Sequence, residues 1–95
     1  MFLSKLRQHL RVRRIQHYES LLQQLQRIVS GSATEAERAA ARKAAESLAA
    51  YYESRVWKRD FAADEAGLLP PELKRGVLSE DGIYNALEAY REWSA

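Results

Sequence analysis

Apolar residues recur along this chain at helical spacing, and nowhere do they alternate with the period of two that marks a strand. Ile15, Tyr18, Leu21, Leu22, Leu25, Ile28 and Val29 follow the i, i+3, i+4, i+7 rule, which turns one face of a first helix toward a core. Gly31, with Ser30 and Ser32 beside it, ends that helix. Thr34-x-x-Glu37 has the form of a capping box, each residue satisfying a free backbone N–H of the other, and so starts a second helix. This helix passes through an alanine-rich stretch to Leu48, Tyr51 and Tyr52. Alanine favours the helix and lets a neighbour approach closely. The short Gly-Ser loop predicts that the two helices pack as an antiparallel hairpin.

Beyond Tyr52 the pattern is interrupted more often. Ser54 either caps a further helical piece that carries Trp57 and Phe61 on one face, or lies inside a continuous second helix. Gly67 suits a helix C-terminus, and Leu69, preceding Pro70, is expected to be extended. Pro71-Glu72-Leu73 predicts one helical turn ended by Gly76. Ser79 is placed at the start of a final helix, with Glu80 and Asp81 in its first turn facing the positive end of the helix dipole. Leu78 and Ile83 are spaced as a hydrophobic staple, and Ile83, Ala86, Leu87, Tyr90 and Trp93 give this helix a buried face. The expected architecture is all-α and three-helix bundle-like, one domain over residues 1–95. It has a basic arm at 1–12, helices at 13–30, 34–66 (continuous or broken near 54) and 79–93, and a structured Pro/Gly connector at 67–78.

Charge changes the picture at the N-terminus. Residues 1–18 hold Lys5, Arg7, Arg11, Arg13 and Arg14 and no acid, whereas residues 61–95 hold seven acids and three bases. At about 100° per residue the core stripe of the first helix, extended backward, meets Arg14, Arg11 and Arg7. Phe2, Leu6 and Leu10 lie on a different side, so the stripe changes face near residue 12. The first dozen residues are therefore expected to be frayed or packed against something else.

Three readings compete for this arm. One is intramolecular: Asp60, Asp64, Glu80 and Asp81 come within reach of Arg7, Arg11 and Arg14 once the helices pack. The second is a protein contact, with self or another chain, through Phe2, Leu3, Leu6 and Leu10, to which Trp57 and Trp93 add aromatic surface. The third is binding of a polyanion, nucleic acid or an anionic membrane surface, by Lys5, Arg7, Arg11, Arg13 and Arg14. No base-stacking pattern or nucleic-acid motif accompanies the charge.

The segment Trp57–Tyr84 concentrates the remaining chemistry. Asp60 and Asp64 are four apart on one helix face, Glu65 adjoins them, and Asp81 returns after the Pro-Pro turn. Oxygen ligands from two helices suit Mg²⁺ or Mn²⁺, which makes Asp60, Asp64, Glu65 and Asp81 a candidate metal set for phosphate chemistry. Against it, the Glu-x-x-Glu spacing of helical pyrophosphatases is absent, and Ala62 stands at a ligand position of an EF-hand counted from Asp60. Caps and arginine pairs account for these acids without a metal, so no cofactor is expected. His9 and His17 lack the spacing of a zinc helix. With no cysteine, thiolate metal sites, disulfides and thiol catalysis are excluded. No apolar run approaches the ~18 residues of a membrane span, and Lys5 and Arg7 break up any signal-peptide core, which makes the cytoplasm the expected compartment.

The set Tyr51-Tyr52, Ser54, Trp57, Asp60, Asp64-Glu65, Gly67, Leu69-Pro70, Leu73-Lys74, Gly76–Asp81, Ile83-Tyr84 and Leu87 resembles a family of small bacterial proteins, the domain-of-unknown-function 4298 family. Arg14–Glu19 (RIQHYE) looks like that family's usual beginning. The resemblance implies a helical, cytoplasmic, bacterial protein and brings no catalytic residue with it. Family members begin near the RIQ motif and continue into a long final helix, whereas this chain adds the basic arm and reaches Ala95 soon after Tyr90. A final helix of residues 80–93 spans about 20 Å, so Leu21, Leu25 and Ile28 are expected to be undercovered, with a partner or a second copy supplying the missing surface. The functional expectation is a non-enzymatic protein-interaction module.

Overall fold

The structure is a computed structural model and describes residues 2–95. It is all-helical: α1 (Phe2–Val29), α2 (Glu35–Tyr52), α3 (Arg55–Glu65) and α4 (Gly82–Ser94), with a 3-10 turn at Gly76–Leu78. Among the described residues there is no strand.

α1 is one unbroken helix of 28 residues, about 42 Å at 1.5 Å per residue, in a molecule whose longest dimension is 48 Å. It is the spine of the fold. Ile15, Leu22, Leu25 and Ile28 are its buried residues. Of the two expectations for the first dozen residues, frayed or packed against something else, fraying is not seen. Residues 2–12 are helical, and Gln8, Arg11 and Val12 contact the rest of the chain. The helix simply continues while its apolar stripe moves to the uncovered side, because helical backbone bonding does not require the stripe to stay on one face.

The other elements stack along this spine. α2 folds back beside α1, so that the Tyr51 ring stacks on Tyr18 with centroids 3.9 Å apart. The capping box at its start is formed: Glu37 N–H donates to Thr34 Oγ1 and Thr34 N–H donates to Glu37 Oε1. Ala41, Ala44, Ala45 and Leu48 are the buried face of α2, small enough for close packing on α1 and α4.

Of the two readings at Ser54, the separate helix is the one observed. Tyr52 ends α2, and Ser54 Oγ accepts from Trp57 N–H at the start of α3 while donating to Tyr51 O. A serine that uses its hydroxyl twice in this way competes with the helical ladder and turns the chain. α3 ends in a Schellman motif: Gly67 N–H reaches Asp64 O, Leu68 N–H reaches Ala63 O, and Gly67 takes the left-handed φ of 72° that a side chain would resist.

The connector and the last helix depart from expectation. No helical turn forms at Pro71–Leu73, where a single bond from Leu73 N–H to Pro70 O closes a turn. The helical turn lies later, at Gly76–Leu78, with Val77 and Leu78 buried. Ser79 does not cap α4. Its hydroxyl donates to Gly76 O, and α4 begins three residues on, with Asp81 at the cap position and no side-chain capping bond. Glu80 and Asp81 thus precede the helix and are not in its first turn.

Gly82 fits because it has no side chain: a Cβ there would collide with Gly76 O and Ser79 Oγ. The expected undercoverage of the first helix is also corrected. Leu25 and Ile28 are buried, and Leu21 is half-buried against the core, because α4 lies along the C-terminal half of α1 and Trp93 Nε1 donates to Gly31 O at 3.0 Å.

Candidate functional site

Asp60 is the one charged residue with no solvent exposure among the described residues. It projects from α3 toward α1 and α2, and both helices answer it. Arg14 binds it in a fork, Nε to Oδ2 at 2.9 Å and Nη2 to Oδ1 at 2.6 Å. From α2, the Tyr51 hydroxyl donates to Oδ2 at 2.7 Å. Arg11, one turn before Arg14, sets its Nε 3.4 Å from Oδ1. That nitrogen is buried and makes no hydrogen bond, so it acts through charge alone.

The fork is the geometry in which guanidinium and carboxylate match best. The Arg14 pKa is raised, chiefly by its hydrogen bond to Asp60. The Tyr51 hydroxyl is pushed up from 10.0 by burial first and by Asp60 second. It is therefore a fixed donor at neutral pH, and the cluster is a clamp joining three helices.

A second arginine organises the connector. Arg75 pairs with Asp64 on α3, and its other nitrogens donate to Pro70 O at 2.7 Å and Leu73 O at 3.3 Å. Val77 is held on both sides: its N–H donates to Glu19 Oε1 on α1 at 3.0 Å, and its carbonyl accepts from Trp57 Nε1 at 2.8 Å. The sequence places Tyr18 in the apolar stripe but gives no binding role to Glu19, nor to Gln8, whose Nε2 donates to Leu68 O at 2.7 Å. The only local sign for Glu19 was an acid bordering the apolar stripe of the first helix, which is too common a feature to be read. Between α1 and the connector lies a groove of about 320 Å³, lined by Val12, Gln16, Glu19, Pro70 and Leu73 among others.

The candidate metal set is not assembled. Asp60 has both oxygens engaged, Asp64 is bound to Arg75, and Glu65 and Asp81 are exposed. Among the described residues no three histidines or carboxylates converge. His9 and His17 are both exposed. Trp57 and Trp93, offered by the sequence as contact residues, are half-buried, each with its indole N–H on a carbonyl of the chain itself; Arg38 also lies over the Trp93 ring at 5.4 Å.

The basic set divides. Arg11 and Arg14 face Asp60, whereas Lys5, Arg7 and Arg13 are exposed and form no ion pair with the described residues. Beside them Phe2, Leu3, Leu6 and Leu10 are 76, 62, 40 and 54% exposed. These four share one formed helix and make a run of adjacent exposed apolar residues, whereas Leu68 and Tyr84, also exposed, stand on the connector and on α4.

The sequence profile of one family, described as Domain of unknown function (DUF4298), matches residues 13–94. The chain belongs to that family. No curated protein and no solved structure matches it. The DUF4298 match covers Arg14, Tyr51 and Asp60 of the clamp, the connector and α4, and excludes residues 2–12, where Phe2, Leu3, Leu6, Leu10, Lys5 and Arg7 stand, together with Arg11 of the clamp. The exposed apolar residues Phe2, Leu3, Leu6 and Leu10 thus lie outside the segment the DUF4298 profile matches, on the same continuous helix, while Gln8, Arg11 and Val12 tie that stretch to the body.

Proposed function

We propose that this DUF4298 protein is a non-enzymatic interaction module that docks through the first three turns of α1. The observation that carries the reading is the exposure of Phe2, Leu3, Leu6 and Leu10 on one formed helix, next to a body whose own core is closed. Isolated exposed apolar residues need no explanation, but a contiguous apolar patch on a small domain marks a contact surface. The chemistry elsewhere supports binding over catalysis: the buried carboxylate is tied up by Arg14 and Tyr51, and the connector's acid is tied to Arg75.

The test is the state of the protein in extracts of the cells that make it, followed by size fractionation and pelleting. The wild-type chain is expected in a larger or particulate species. A Leu3→Gln/Leu6→Gln/Leu10→Gln variant, altered only at exposed positions, is expected to run as a free chain of the same stability. A wild type that runs free, like the variant, refutes the reading.

A further inference from the structure

The uncovered face of α1 combines two chemistries in a fixed arrangement. At about 100° per residue, Phe2, Leu3, Leu6 and Leu10 share the side of α1 opposite to the buried Ile15 and Leu22. Lys5 borders this stripe on one flank and Arg7 on the other, while Arg13 stands at its inner end, one turn past Leu10. All three cations are exposed and unpaired among the described residues, and residues 1–18 contain no acid.

We propose that the occupant of this face is an anionic lipid surface, an inference that rests on the docking reading above. The first three turns of α1 lie in the plane of the headgroups, with the stripe immersed and the cations on lipid phosphates.

Charge complementarity selects this occupant. A lipid surface sets phosphate immediately above hydrocarbon, and a helix with an apolar centre and cationic margins meets both layers at once. The Lys5 and Arg7 stems reach outward from the margins while their charged ends stay hydrated. A second copy of the chain, paired stripe to stripe, would bring Lys5, Arg7 and Arg13 of both chains along one seam with no acid from either arm to answer them. A nucleic acid would satisfy the cations and leave the four apolar side chains in water. Attachment is peripheral, since no helix among the described residues is long and apolar enough to cross a membrane. The docking helix is already formed and continuous with the body, so it needs no ordering on contact.

The experiment is flotation of the purified full-length chain with vesicles, either of equal parts phosphatidylcholine and phosphatidylglycerol or of phosphatidylcholine alone. Wild type is expected to float with the anionic vesicles, to stay free of the neutral ones, and to detach as salt is raised. Lys5→Gln/Arg7→Gln/Arg13→Gln is expected to lower anionic partition roughly a hundredfold, about fivefold for each cation. Leu3→Gln/Leu6→Gln/Leu10→Gln is expected to lower it by more than about tenfold, and both variants keep the wild-type melting temperature.

Wild type that ignores anionic vesicles, or a leucine variant that floats as well as wild type, overturns the assignment. So does velocity sedimentation showing a wild-type dimer that the leucine variant dissolves, or retention of duplex DNA that the leucine changes leave intact. If the chain is particulate in extracts yet free of vesicles, the lipid assignment falls and the docking reading stands.

Discussion

Replacing Asp60 by Asn keeps the side-chain shape and removes the charge on which Arg14, Arg11 and Tyr51 converge. Removing one member of a buried ion pair typically costs about 3–5 kcal/mol. Here the guanidinium side has an escape, since the Arg14 and Arg11 side chains are 33% and 26% exposed and regain water; that lowers the expected loss to about 2 kcal/mol. The Tyr51 hydroxyl has no such escape, because Tyr51 is 3% exposed. That fixes the amide orientation: its oxygen sits at the Oδ2 position and accepts from Tyr51 and Arg14 Nε, while its NH2 at the Oδ1 position faces Arg14 Nη2 donor to donor, which adds about 1 kcal/mol. The total of about 3 kcal/mol is a large part of the ~5–15 kcal/mol that stabilises a domain of this size, and corresponds to a melting temperature lowered by roughly 12–24 °C.

Arg14→Gln should be worse, about 4 kcal/mol, because the stranded group is then the carboxylate with no solvent access. The double variant should be more stable than the sum of the singles predicts, by about 1–3 kcal/mol. Urea unfolding followed by both tryptophan fluorescence and circular dichroism measures all three, provided the two probes coincide and the slope is unchanged. An Asp60→Asn chain within about 0.5 kcal/mol of wild type, or single effects that add, would show that the clamp does not hold the helices together.

Three further outcomes follow from the same geometry. Because the Tyr51 pKa is raised above 10.0 by burial and by Asp60, the folded chain keeps a proton that the unfolded chain releases. This contribution is complete below pH 10 and is lost as pH rises beyond it. Tyr51→Phe should therefore lose stability less steeply than wild type above that pH, read from urea midpoints in a pH series. Gly82→Ala should destabilise by about 2 kcal/mol despite alanine's better helix propensity, since its Cβ meets Gly76 O and Ser79 Oγ; a melting temperature equal to or above that of wild type would contradict this. Addition of Mg²⁺, Mn²⁺ or Ca²⁺ should leave the melting temperature unchanged, because Asp60 and Asp64 are already bound by arginines; a stabilising shift in thermal scans would reopen the metal reading.

Local signals in the sequence were read well where one turn of backbone decides the structure. Thr34-x-x-Glu37 and Gly67 act as their chemistry requires; Ser54, which the sequence leaves open between a cap and a continuous helix, turns the chain by bonding its own neighbourhood. The start of α4 was misplaced because Ser79 had a rival use: its hydroxyl serves Gly76 O in a 3-10 turn that no periodicity announces. The clamp was only half legible. An acid within reach of Arg11 and Arg14 could be foreseen from charge, but which acid depends on how α3 stacks along α1, and Asp60 and Asp64 look alike in the string. They diverge in space: Asp60 turns to the spine and Asp64 to Arg75. The arm shows the limit of periodicity: Phe2, Leu6 and Leu10 leave the core stripe as the pattern indicates, but a change of apolar face does not interrupt backbone bonding, and α1 runs through it unbroken.

The arrangement of every element along α1 also sets the order in which the chain can complete itself during synthesis. The spine emerges first and stays apolar on one face until its covers arrive: Tyr51 for Tyr18, then Asp60 for Arg14, Val77 for Glu19, and Trp93 for Gly31, 62 residues after its partner. Until α4 has left the ribosome, α1 lacks one of the elements packed against it, and its core-facing apolar side, Leu25 and Ile28 included, stays open to chance contacts.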